Sequence, residues 1–461
     1  MSVVAAYMVP HPPLIIPKVG RGGEAVVQKT IEAYQKVADE IAQIKPDTII
    51  ISSPHASMFT DYFSVSSGKV GMGSMASFGA PSVAFKEDYD EELVKKISVL
   101  AVEKEFPAGS LGETVHELDH GCMVPLWFIR QKYTDYKLVR VGLSGLALTA
   151  HYSFGEIINE AVEELGRKVV YIASGDLSHK LKEDGPYGFA PEGPEYDKRI
   201  MDVCRRAAFE ELFDFSDFFR ECAAECGHKS FVIMAGVFDG KAVEAKELSH
   251  EDATGVGYGI CTFHPEGPDE NRQFLVKHLN KNLKAVEERR NMADEYVKLA
   301  RQSLENYITK GIRMAIPADV SPEIRDRRAG AFVSIHKNGK LRGCIGTILP
   351  TKDSLAEEII TNAISASTQD PRFHPIVEEE LPWIDVKVDV LGEPEQITGM
   401  DQLDVKKYGV IVTTGDKTGL LLPDLEGVDT VEEQVAIAFQ KGGISTDEEV
   451  FLYRFEVVRH V

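Results

Sequence analysis

Positive charge is scarce in this sequence: 51 lysines and arginines face 73 aspartates and glutamates, a formal charge of −22. With no basic excess to neutralise phosphates, strong direct nucleic-acid binding is not expected. Cysteine is scarce too, six in 461 residues and no CxxC pair, which argues against a disulfide scaffold and predicts reduced thiols. Three of them, Cys204, Cys222 and Cys226, fall close together. No apolar run is long enough to span a bilayer, so no membrane association is expected. The opening MSVVAAYMVPHPP lacks the charged n-region and long h-region of a signal peptide, which predicts a soluble, cytoplasmic protein. Internal repeats and low-complexity tracts are missing as well.

What is present, 43% hydrophobic residues over 461 positions, is more than one compact core usually organises, so two domains are expected. The first half alternates apolar strands, "DTIIISSPH" at 47–55, "YKLVRVGLSG" at 136–145 and "KVVYIASGDLSH" at 168–179, with helical patterns at 24–44 and 154–166. Continuous Val, Ile and Leu strands separated by helices predict an α/β domain over residues 1–265, a mainly parallel or mixed sheet covered by helices on both faces. Ligands bind such sheets outside the carboxyl ends of the strands. A strand at "GVGYGICTF", 255–263, closes the domain, and the polar "HPEGPDENRQ", 264–273, reads as a turn-rich connection, with 266–284 as the linker. A charged helical stretch at 274–308 leads into a smaller α+β domain with an antiparallel sheet, 285–461. There Lys337-Asn338-Gly339-Lys340, between two strand-like runs, is a strong hairpin signal. The turns "LEGVDT" and "QKGGIS" are candidate contact loops of this half.

Histidines close three of the predicted strands: His11 in "VPHPPL", His55 in "IIISSPHASM" and His179 in "VYIASGDLSHK". Proline fixes its own φ and restricts the residue before it, so the backbone beside His11 and His55 has few choices. One such histidine is an ordinary turn residue, but three at equivalent strand ends point to one shared crevice. His116 and His120, in "TVHELDHGCMVPLWF", are on a loop that could face it. Two histidines, one anionic ligand and open positions are what a non-haem Fe(II) site requires. Glu225 and Cys226, in "ECAAECGHKSFVIMAG", are the candidate anions. A carboxylate keeps iron open to a chelating substrate and O₂, whereas a thiolate favours softer metals and a redox or structural role. Neighbours on an irregular segment point in different directions, so one of the two is expected to bind. In the second half Arg342 and Cys344 flank Gly343, where a cation and a thiol could meet an anionic or electrophilic ligand. The alternative there is a buried cysteine in a tight strand, with Gly343 and Gly346 giving close backbone approach.

The His11 and His55 strand ends, "LDHGCMVPL", "SGDLSH" and "GYGICTF" resemble, in that order, the class III extradiol ring-cleavage dioxygenase fold, whose other branch is the Memo-like proteins. The resemblance covers residues 1–265 and implies that His11 and His55 bind Fe(II) with a later glutamate, that His179 serves as acid/base and that His120 assists. "ECGHKSFVI" departs from the dioxygenase pattern and is similar to the "CG" segment of Memo-like proteins, where the third position is cysteine. Over residues 285–461, "LRGCIGTILP", "QDPRF", "YGVIVTTGDKTGLLLP" and "VEEQVAIAFQKGGI" resemble the AMMECR-type domain. A chain joining the two is similar to a group that accompanies a radical-SAM protein, which implies a shared pathway.

Two functions compete. The first is a non-haem Fe(II)-dependent, extradiol-dioxygenase-like oxidoreductase acting on a catechol-like or other chelating small molecule, with zinc or copper as alternative metals. In it His179 moves the proton, oriented by Asp176, and His120 hydrogen-bonds the bound oxygen species. The second is a non-catalytic metal-binding or docking protein that works with a radical-SAM enzyme, in nucleoside or RNA modification.

Overall fold

The computed structural model describes residues 2–111, 117–425 and 427–461, so His116 and Glu426 of "LEGVDT" lie outside the described residues. The chain divides into two compact units, one up to His278 and one from Leu279 onward. The boundary falls within the helix Phe274–Met292. No helix among the described residues is long and apolar enough to cross a membrane.

In the first unit, β1 (Val3–Val9), β2 (Thr48–Ser53), β3 (Lys137–Gly142), β4 (Val169–Ser174), β5 (Lys241–Glu251) and β6 (Tyr258–Pro268) form one mixed sheet in the order β3-β2-β4-β1-β6-β5. The first four strands run parallel, while β6 lies antiparallel to β1 and β5 antiparallel to β6. All six residues of β2 and of β4 are buried, as expected of parallel strands covered on both faces. One face is covered by α1 (Gln28–Ile44) and α2 (His120–Ile129), the other by α3 (Leu148–Leu165) and α5 (His228–Val237); α4 (Glu192–Arg206) packs along β5 and β6. The polar segment at 264–268 does not leave the domain as a turn. It continues β6, paired with β5 as far as Pro268 opposite Lys241, and His264 forms an ion pair with Glu40 of α1. Backbone pairing at a sheet edge tolerates polar side chains, which is why composition misreads it.

The second unit is α+β. β7 (Ala331–Lys337), β8 (Lys340–Gly346), β9 (Ile384–Leu391), β10 (Glu395–Ile397), β11 (Tyr408–Thr413), β12 (Thr418–Leu421) and β13 (Phe451–His460) form an antiparallel sheet in the order β8-β7-β9-β13-β11-β12, with β10 also on β13. The β7–β8 turn holds Asn338 and Gly339 at φ of 53° and 78°, the left-handed pair that a two-residue hairpin needs. The helical stretch breaks before α6 (Glu295–Lys310), where the Asp294 carboxylate accepts the amides of Tyr296 and Val297. α6 and α7 (Leu355–Thr368) close one face of β7–β9 around Leu299, Ile335 and Ile359, and α8 (Val431–Gly442) covers β11 and β12.

Candidate metal centre

Three side chains of the first unit stand two residues beyond a parallel strand: His11 after β1, His55 after β2 and Asp176 after β4, so the third strand-end position belongs to Asp176 and not to His179, which lies further along the loop after Ser174. These strands are neighbours in the sheet, in the order β2-β4-β1, so their ends open on one crevice. His11 Nε2 and His55 Nε2 are 3.0 Å apart. Cys226 Sγ lies 3.7 Å from His11 Nε2, and the three donor atoms are all within 4.8 Å of one another. A metal held about 2.0–2.1 Å from imidazole nitrogen and about 2.3 Å from thiolate sulfur brings its donors roughly 3–4 Å apart. The separations of 3.0 and 3.7 Å from His11 Nε2 match such an ion, with His55 and Cys226 within 4.8 Å of each other.

Cys226 arrives on the turn between the short helix Asp217–Ala223 and α5. That turn crosses the loop after β4 so closely that a Cβ on Gly175 would stand 2.1 Å from the Cα of Gly227. Two glycines are needed where two backbones touch. The contact lets the Asp176 amide donate to Cys226 Sγ at 3.2 Å, while the Asp176 carboxylate accepts the His11 amide at 2.7 Å.

The tautomer of His11 follows from its neighbours. Ser174 Oγ donates to the Gly121 carbonyl at 2.6 Å, so at 3.0 Å from His11 Nδ1 it accepts, and Nδ1 carries the proton. Nε2 is left with a lone pair aimed at the crevice, the arrangement that orients a ligating histidine. Burial, aided by the charges of His55 and His179, holds the His11 imidazole well below its usual range. Burial also lowers His55, against the pull of Asp119 and Asp176. The Cys226 thiol is pushed well up by burial and then by Asp176 and Glu225, so a cation has to displace its proton.

Around the three donors stand other titratable groups. His120, first residue of α2, packs its ring 3.9 Å from that of His55 and 5.3 Å from that of Phe78. Burial, then His55 and His11, lowers it to about 4, so it is a neutral imidazole near neutral pH. Burial raises the Asp176 carboxyl, against the His11 amide and the imidazoles of His179, His120 and His55. His179 keeps an unpartnered, buried Nδ1, with its ring edge-on to exposed Tyr187 at 5.1 Å. Glu225 is turned elsewhere: its carboxylate accepts the His228 amide at 2.6 Å and pairs with buried Arg220 at 3.4 Å. Of the two neighbours in the sequence, the thiol converges with the histidines and the carboxylate caps α5. Ser174 and Gly121, which set the His11 tautomer, were missed; a small polar residue ending a buried strand beside "GD" was the signal available.

In the second unit the structure separates the pair read at 342 and 344. The Arg342 guanidinium is fastened to Glu380 through Nε at 3.0 Å and Nη2 at 2.9 Å, and Nη1 donates to the His374 carbonyl at 2.8 Å. The charged groups about the Cys344 thiol are Arg372, Asp389, Asp370 and Lys441 instead, and burial raises that thiol.

Comparison with known proteins agrees with this division. The family described as the catalytic LigB subunit of aromatic ring-opening dioxygenase matches residues 5–261, more than half of the chain, and AMMECR1 matches residues 297–460. The chain belongs to the LigB family and carries a C-terminal AMMECR1 domain. A Clostridium acetobutylicum protein is 43% identical over 100% of this chain and 99% of its own length, so the LigB and AMMECR1 parts are fused there as well. A Thermotoga maritima protein is 55% identical over 36% of this chain and 96% of its own. Among solved structures, an uncharacterized Pyrococcus horikoshii protein is 34% identical with a TM-score of 0.34, over 36% of this chain and 88% of that one. An uncharacterized Escherichia coli K12 protein is 14% identical with a TM-score of 0.39, over 56% and 99%. The LigB-type half therefore has a dioxygenase-like fold, with a His₂Cys group where strand ends meet.

Proposed function

We propose that the LigB-type unit is a metal-dependent oxidoreductase that acts on a small molecule, with one redox-active ion, Fe(II) in the first rank and copper after it, held by His11, His55 and Cys226. The observation that carries this is the convergence of those three donors within 4.8 Å at the strand ends of a dioxygenase-like fold. When bound, the metal supplies a Lewis acid and, as iron or copper, one-electron chemistry. The chain's own part is to orient and to handle protons. Ser174 keeps the His11 Nε2 lone pair inward. His120 is neutral and able to accept or donate at the crevice wall. The Asp176 carboxyl, raised by burial, retains a proton more readily than an exposed aspartate, and the unpartnered His179 Nδ1 offers a second place to hold one.

The thiol in place of a carboxylate weighs against extradiol ring cleavage, because the hard, two-His-one-carboxylate set suited to O₂ and a chelating catechol is not assembled among the described residues. The same thiol favours a second reading, a metal-binding module without turnover that serves a radical-SAM partner in nucleoside or RNA modification. Anaerobic purification with analysis of iron, copper and zinc, followed by O₂ consumption with catechols as probes, separates the two. About one iron per chain with substrate-dependent O₂ uptake supports the oxidoreductase. Zinc alone, with no uptake, overturns it. In the same protein Cys226→Ala should lose the metal while Glu225→Gln keeps it, and the reverse result removes the thiolate from the site.

A further inference from the structure

The AMMECR1 unit has a cleft of its own that the metal chemistry does not use. On one face of its sheet, pairing aligns Cys344 with Ser334 and Lys387 across β8, β7 and β9, and the next row aligns Phe332 with Asp389 and Arg459. The opposite face is closed by α7 at Gly343, where a Cβ would meet the Ala366 carbonyl at 2.1 Å. Side chains alternate along a strand, so Cys344 points the other way, into the open side. Arg372, from the loop after α7, and Lys441, from α8, complete the walls of a cleft of about 650 Å³. That is the size of a small-molecule site.

The charges in this cleft are incompletely matched. Arg372 is bidentate on Asp370, at 2.9 and 2.7 Å, and Arg459 is tied to Asp389 at 2.8 Å. Asp424 also lines the cleft. Lys387 and Lys441 are in no ion pair among the described residues, and burial, with Arg372 beside it, lowers the Lys441 ammonium. Arg372, Lys387, Lys441 and Arg459 outnumber Asp370, Asp389 and Asp424, so this partly desolvated cleft keeps a positive excess that favours an anion. Phe332, Leu420, Leu422 and Leu425 add apolar lining to the same cleft. We propose that this cleft binds a small phosphate monoester with an apolar or aromatic body, the phosphate on Lys387 and Lys441, the body against Phe332 and Leu420, above the Cys344 thiol.

Cys344 supplies the readout. The full-length chain is treated with N-ethylmaleimide at pH 8.5, and the rate at Cys344 is followed by peptide mass, with the partly exposed Cys222 as an internal reference. Saturating phenyl phosphate should slow alkylation of Cys344 at least fivefold and leave Cys222 unchanged, whereas benzoate, with a single negative charge, should protect at least threefold less. Lys387→Gln and Lys441→Gln, both checked for an unchanged melting temperature, should each weaken phenyl phosphate binding at least tenfold by calorimetry. No protection, equal protection by benzoate, or wild-type affinity in both variants overturns the assignment. The metal content of the first unit does not enter any of these outcomes.

Discussion

His11 Nε2 and His55 Nε2 stand 3.0 Å apart across 44 residues of sequence. Because the Ser174 hydroxyl fixes the His11 proton on Nδ1, the Nε2 atom presents a lone pair, and what faces it must be a proton or a cation. Ser174→Ala removes the acceptor for Nδ1–H and frees the ring to rotate or change tautomer. Its affinity for Co(II) or Zn(II) should fall about 10–100-fold, the usual effect of losing a partner behind a ligand. His11→Ala and His55→Ala should each abolish stoichiometric binding while far-UV circular dichroism stays native. Competition titration against a chelating dye measures all three, and wild-type affinity in Ser174→Ala would show that the hydroxyl does not orient the ring.

The Arg220–Glu225 pair should be structural. Side-chain exposure is 8% for Arg220 and 6% for Glu225, and Glu225 also caps α5 through the His228 amide. Removing one member of a buried pair leaves the other charge without compensation, at a cost of about 3–5 kcal/mol. Arg220→Ala is expected to lower stability by that order in urea unfolding, whereas Arg220→Lys keeps part of it. A change below about 1 kcal/mol would mean that water or relaxation satisfies Glu225.

Much of this was legible in the sequence, and for a definite reason. Buried parallel strands are written as continuous Ile and Val runs, so the positions of His11 and His55 just beyond them could be read directly, whereas the third such position, read as His179, belongs to Asp176. The order β2-β4-β1, which makes those ends neighbours, is a long-range fact that no local pattern carries. Glu225 and Cys226 could not be separated because their directions depend on Arg220, reached through a turn, and on the Gly175–Gly227 crossing. Likewise Arg342 and Cys344 looked like partners by spacing, but Glu380 claims the arginine from a distant segment, and Arg372 and Lys441 reach the thiol from two others.

Acid should weaken the second unit in a defined window. Arg372 holds the Asp370 carboxyl down to about 2, and Arg342 and Lys337 overcome burial to hold Glu380 at about 2. Carboxyls with depressed folded values contribute stability above their unfolded values, about 4, and that contribution is lost as pH falls through about 2. Because Arg372 is half-exposed, screening reduces each contribution to roughly 1–2 kcal/mol. Trp127→Phe leaves Trp383 as the single tryptophan, in the second unit beside Glu380. Its urea midpoint should fall between pH 5 and pH 2, and Glu380→Gln should flatten that fall. A midpoint independent of pH in this range would deny both ion pairs their role.

The crossing of the two loops gives the sharpest test of the metal centre. An added Cβ at Gly175 would stand 2.1 Å from Gly227 Cα, 3.1 Å from its nitrogen and 3.2 Å from its carbonyl carbon. All three are backbone atoms, so no flexible side chain can yield and the loops must part by an ångström or more. Asp176 follows Gly175 directly and holds both the His11 amide and Cys226 Sγ. Parting the loops therefore moves the thiol away from the histidines. Gly175→Ala should lose at least tenfold in metal affinity and weaken the thiolate-to-metal charge-transfer band of the Co(II) protein, besides lowering the melting temperature. Gly23→Ala, where a Cβ would meet nothing within 4 Å, controls for a generic effect of the substitution and should leave both signals unchanged. If Gly175→Ala binds Co(II) with wild-type affinity and an undiminished band, Cys226 is not a ligand or the crossing does not position it.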